Sequence, residues 1–125
     1  MPEEQGGMSP HASAVLAEIC GALEQLNQTG QGHTLFINKM ALSQQDRLDI
    51  HDFLGEGSVR IKLEKTDEPA EWLESGIIGV WFGVFYDHAA NPVLETIEIT
   101  HFPQVAAAQP EDIVQAVQKL QNRLK

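Results

Sequence analysis

Five histidines (His11, His33, His51, His88, His101) and one cysteine, Cys20, are the side chains in this sequence best suited to hold a metal or to attack a substrate. A metal site legible in sequence repeats its ligands at i, i+4 on a helix or as C-x-x-C, so that one short element presents two ligands together. No two of these histidines stand at that spacing, and Cys20 has no companion. Convergence of His33, His51, His88 or His101 with Cys20 in space would make a metal- or cluster-handling protein, the second reading of this chain. The carboxylate pairs Glu71-x-x-Glu74 and Glu95-x-x-Glu98 would suit acid–base chemistry if they faced each other, but three-residue spacing on a strand sends them to opposite faces. Gly55-Glu56-Gly57 is no phosphate loop, because a carboxylate stands between the glycines and no Lys-Ser/Thr pair follows. With no nucleophile, base and oxyanion donor in a shared pattern, the reading is of a protein that is not an enzyme and takes no cofactor.

Charge points to recognition instead. Lys and Arg total 8 against 18 Asp and Glu, a net charge of −10, which disfavours nucleic acid and anionic membrane surfaces as partners. Between Thr66 and Pro110 stand seven acids and no Lys or Arg. The same segment contains Ile77 to Tyr86, a run with almost no polar residue. Read as one strand, it puts Ile78, Val80, Phe82, Val84 and Tyr86 on one face and Gly79, Trp81, Gly83 and Phe85 on the other. A strand apolar on both faces must be covered on both, by helices on one side and by another polypeptide on the other. Acids around such a centre suit a cationic, partly apolar segment, and a second copy of the chain packing there would give a homodimer.

These residues need elements to carry them. Ser9-Pro10 predicts a helix start, with Val15, Leu16, Ile19, Leu23 and Leu26 at helical spacing and Cys20 within that stripe; Asn27 to Gly32 ends it. His33 to Asn38 reads as a strand. Ser43 with Asp46 predicts a second capped helix, with Leu48, Phe53 and Leu54 as its apolar positions and Gly55 as its stop. From Gly57 the period becomes two, with Val59, Ile61 and Leu63 on one face. A strand over Glu71 to Glu74, the run Ile77 to Tyr86 and a returning strand over Val93 to His101 follow, the last with Glu95 misplaced among Val93, Ile97 and Ile99. A final helix from Gln109-Pro110 carries Ile113, Val114, Val117, Leu120 and Leu124. The expectation is an α+β, two-layer sandwich: a mostly antiparallel sheet, its helices packed on one face, to which pairing across the second helix could add a parallel pair.

At 125 residues the chain suits one domain. Residues 1–8 read as a flexible N-terminal tail and 9–125 as the domain. A lone cysteine allows no internal disulfide, no apolar run is long enough to span a bilayer, and Met1-Pro2-Glu3-Glu4 is acidic where a signal peptide is basic; the expected location is cytoplasmic.

Several of these segments together resemble the hydrogenase expression protein family HupH/HyaF. They are Leu42-Ser43 through Leu54, Gly55-Glu56-Gly57-Ser58-Val59, Glu74-Ser75-Gly76-Ile77-Ile78-Gly79-Val80-Trp81, and Glu95 through Ile99 leading to Pro103. The similarity runs from about Asn38 to the end of the last helix, whereas Met1 to Gly32 carries no motif of the family. Members usually have a second Glu where Ser58 stands, and many are longer, so the chain resembles a short, single-module version of the family. The resemblance implies a chaperone-like accessory role in maturing nickel-iron hydrogenases, through binding of a hydrogenase subunit, the iron-sulfur small subunit before its export. Such small subunits carry an export signal with paired arginines and an apolar core. On that footing the partner-binding residues are Glu56, Gly57, Glu74, Gly79, Trp81, Gly83 and Phe85.

Overall fold

The computed structural model describes residues 7–125. Helix α1 (Pro10–Thr29) starts where Ser9 Oγ accepts the Ala12 N–H (3.1 Å) and stops at Gly30, whose left-handed φ of +78° lets its N–H reach Leu26 O. Strand β1 (His33–Phe36) runs into a single 3-10 turn, Ile37–Lys39. Helix α2 (Gln44–Leu54) has the predicted capping box: Ser43 Oγ accepts the Asp46 N–H and the Asp46 carboxylate accepts the Ser43 N–H, each at 3.0 Å. Gly55 ends it at φ +75°. Strands β2 (Glu56–Leu63), β3 (Ala70–Ser75), β4 (Val80–Tyr86) and β5 (Pro92–Ile99) follow, then a 3-10 turn at Gln104–Ala106 and helix α3 (Pro110–Arg123).

The sheet order is β1-β5-β4-β3-β2, antiparallel at every step, in an α+β fold as expected. The parallel pair that strand pairing across α2 could have added does not form. β2 to β5 are a meander of neighbouring strands, and β1 adds to the free side of β5, so β1 and β2 occupy opposite edges.

Alternation along the strands divides the apolar residues between two cores. On one face α1 and α2 cover Leu35, Val80, Ile97 and Ile99, with Ala12, Val15, Ile19, Ala22 and Leu26 contributed by α1 and Ile50 and Leu54 by α2. Cys20, expected in the α1 stripe, is exposed, and so are Leu48 and Phe53 of α2; Ile50 and Leu54 bury that helix instead. Glu95, the misfit of β5, is met by Arg47 of α2 at 2.8 Å. The second core lies on the opposite face: Ala70, Trp72 and Trp81, with Ile61, Leu63 and Phe85 against them. Of the expected tail, residues 1–6 lie outside the described residues, and Met8 packs against the first core.

Candidate functional site

The two glycine-bearing motifs meet. Glu56 pairs with Ser75 across the β2–β3 ladder, and the backbones of Gly55-Glu56-Gly57 and Glu74-Ser75-Gly76 touch with no room for side chains between them. A Cβ on Gly57 would lie 2.5 Å from Ser75 O and 2.8 Å from Glu74 O; one on Gly76 would lie 2.8 Å from Leu54 O. Glycine is required here by close backbone approach. The ladder slips register between Glu56 and Arg60, and Glu56 and Val59 are exposed.

Beyond Ser75 the expected ten-residue strand is a turn followed by a shorter strand: residues 76–79 leave the ladder and β4 begins at Val80. Period-two alternation treated Ile77 and Ile78 as strand positions; the backbone puts them at the tip of the turn, with Ile78 83% exposed. Polar contacts hold the turn. Ser75 Oγ accepts the Ile77 N–H (3.1 Å) and donates to Ile77 O (2.9 Å), while Glu74 Oε2 accepts the Gly79 N–H (3.0 Å). Gly79 takes φ +93°, and its carbonyl accepts the Thr100 N–H at 2.9 Å. Glu74, expected as a partner contact, is thus first a brace for the turn, and Gly79 its hinge residue.

Trp81 is 3% exposed. The expectation that another polypeptide must cover the second sheet face is corrected: the chain's own segment after β5 covers Trp81. Phe102 packs edge-on against its ring, Pro103 is fully buried, Ala106 packs on the second core, and Trp81 Nε1–H donates to Thr100 O (3.1 Å). Gly83 is equally internal, since a Cβ there would collide with Thr96 Oγ1 and lie 3.1 Å from both Glu98 Oε2 and Trp72 Cδ1. Phe85 is half-buried, edge-on to Trp72, and faces a groove of about 740 Å³ shared with Phe36, Leu94 and Phe102. Of the seven residues expected to contact a partner, Glu56, Gly57, Glu74 and Gly79 gather at the motif turn, Trp81 lies under cover next to it, and Gly83 and Phe85 extend along the second face.

Two features escaped the sequence. Glu98 reads as one more surface acid, yet it is only 8% exposed and its Oε2 accepts both Trp72 Nε1–H and Thr96 Oγ–H at 2.9 Å. Its alternation with Thr96 on a face bearing Trp72 was the available signal. The other is a groove of about 360 Å³ on the helical face, floored by Ile50, Leu73, Phe82 and Ile97 and rimmed by the ion pairs Arg47–Glu95 and Arg60–Glu71, each 2.8 Å.

The metal reading finds no cluster to rest on. His33 lies 3.0 Å from Glu18, His51 stacks on Phe82 at 4.4 Å between centroids, and Cys20 is exposed elsewhere. Among the described residues, no three His, Cys, Asp or Glu side chains are gathered to hold an ion. Nor, among these residues, is any helix long and apolar enough to cross a membrane.

Comparison with known proteins agrees with the motifs. Residues 10–125 match the family described as HupH hydrogenase expression protein, C-terminal conserved region. The Hydrogenase-1 operon protein HyaF of Escherichia coli (strain K12) is 31% identical over 94 residues, which are 75% of this chain and 33% of that protein. The hydrogenase expression/formation protein HoxQ of Azotobacter vinelandii is 28% identical over 112 residues, 88% of this chain and 39% of its own length. This chain therefore spans little more than a third of the curated relatives it matches. Among solved structures, the hydrogenase expression protein HupH of Thiobacillus denitrificans superposes with a TM-score of 0.85 at 24% identity, covering 94% of this chain and 98% of that one, which shows a shared fold.

Proposed function

From the premise that this chain belongs to the HupH hydrogenase expression protein family, we propose that it is a non-enzymatic, chaperone-like accessory protein of nickel-iron hydrogenase maturation. It binds a hydrogenase subunit in the cytoplasm, and the subunit is the iron-sulfur small-subunit precursor. The observation that carries the reading is the motif turn: an exposed apolar tip, Ile77-Ile78, directly after β3, where Ser75 pairs with exposed Glu56 and the Glu74 carboxylate accepts the Gly79 N–H. An apolar knob beside acids complements a segment that is cationic and apolar by turns, the chemistry of an export signal with paired arginines. Glu56, Ile77 and Ile78 make the contact; Gly57, Glu74 and Gly79 shape it, Trp81 and Gly83 are buried in the sheet behind it, and half-buried Phe85 continues the surface on the second face.

The test is capture of the small-subunit precursor by the purified protein at low and raised salt. Glu56→Lys and Ile78→Ser, both at exposed positions, should each weaken capture by about tenfold, equivalent to about 1.4 kcal/mol. Raised salt should weaken the wild type more than Glu56→Lys, because one of the attracting charges that salt screens is already reversed in the variant. Unchanged capture by both variants sinks the site, and failure to capture the precursor under any condition sinks the assignment of partner.

A further inference from the structure

Helix α3 is folded but touches little. Every residue from Pro110 to Lys125 is exposed, and Ile113, Val114, Val117, Leu120 and Leu124 are each more than half exposed. A 14-residue helix is about 21 Å long and at the lower limit of what holds together in water without tertiary packing. This one has no side-chain N-cap and three β-branched residues, which lower its intrinsic helicity further. Its apolar residues are not scattered. Ile113, Val117, Leu120 and Leu124 are spaced four, three and four apart, the seam of a two-helix coiled coil. The two ends carry opposite charge: Glu111 and Asp112 in the first turn, Lys119, Arg123 and Lys125 toward the last.

We propose that α3 is a self-association element and that two copies of this chain pair through antiparallel α3 helices. The seam is complementary to itself, and antiparallel alignment sets the acids of each helix against the bases of the other while opposing the helix dipoles. A parallel pair would put acids beside acids. Five apolar side chains per helix fall short of the roughly 800 Å² that each partner buries in a standard interface, so the contact must extend past the helix. Antiparallel pairing provides for this. It brings the C-terminal turn of each helix to the start of the other, where Gln109 Nε2–H bonds to Gln104 O and Ala107 O fasten α3 to the 3-10 turn bearing exposed Val105, beside exposed Phe102. This surface is separate from the Trp81 face from which the sequence suggested a homodimer, and it does not depend on the hydrogenase reading.

The test is the mass in solution of the full chain by light scattering and sedimentation across a concentration series. Twice the 13.8 kDa of one chain is expected at high concentration. V117E/L120E should be monomeric at every concentration, with the near-ultraviolet signal of buried Trp72 and Trp81 intact, because α3 lies outside both cores. Two charge variants decide the geometry. E111K/D112K makes the helix basic throughout and K119E/R123E makes it acidic throughout; each should lose self-association by about tenfold or more, while their equimolar mixture restores it. A wild type that stays monomeric, or a dimer indifferent to V117E/L120E, overturns the proposal. So does a dimer that survives both charge variants unmixed.

Discussion

The Asp46 carboxylate serves the start of both helices that cover the sheet. Its Oδ2 accepts the Ser43 N–H of its own capping box, and its Oδ1 accepts the hydroxyl proton of Ser9, the N-cap of α1, at 2.6 Å. The capping box was legible because its partners stand three residues apart; the bond to Ser9 spans 37 residues and was not. The Ser9 hydroxyl above all, and next the Ser43 N–H, hold the Asp46 carboxyl below its ordinary value of 3.8. A carboxyl with a depressed folded pKa stabilises the protein above the ordinary value and loses that contribution as pH falls through the folded one. Asp46→Asn should therefore lower the urea midpoint most above the ordinary value, and the gap from wild type should close as the solution is acidified below it. A gap that does not change with pH means that the ionised form carries no special stabilisation. Glu98 teaches the same lesson from the opposite direction. Sequence placed it among the acids of a charged surface, whereas Trp72 and Thr96 occupy its carboxylate within the second core.

At the scale of elements, boundaries were read well where a local device sets them. Ser9, Gly30, Ser43 and Gly55 act on backbone groups within four residues, and the observed helices start and stop at them. The failure was the run Ile77 to Tyr86, because a turn built of Ile-Ile-Gly and held by Glu74 and Ser75 has the same apolar signature as a strand. The family motifs there describe the junction of β2, β3 and the turn. Gly57→Ala tests that account. Its methyl group would press on two backbone carbonyls at 2.5 and 2.8 Å, so the β2–β3 register must yield, at a cost of about 2–3 kcal/mol of stability. Gly30→Ala meets open space and bears only the strain of its φ of +78°, about 1–2 kcal/mol. Equilibrium denaturation followed by tryptophan fluorescence should rank them in that order; equal losses would remove the close-approach argument.

The whole molecule is a sheet with a core on each face and a helix that belongs to neither. Because α3 adds no side chain to either core, a chain ending at Gln109 should unfold at an unchanged denaturant midpoint in dilute solution. A large loss of stability there would mean that α3 supports the body directly. Sequence alone determined the α+β class, the strand alternation, the helix caps, the acidic charge and the family motifs, all carried by residues close together along the chain or by composition. Tertiary structure alone decided which apolar residues are covered: Trp81 lies under the chain's own Phe102, whereas Ile78 at the turn and the stripe of α3 stay exposed among the described residues. The physical reason is that burial belongs to pairs of segments brought together by the fold, and a pattern along one segment shows that it needs a cover without showing what provides it.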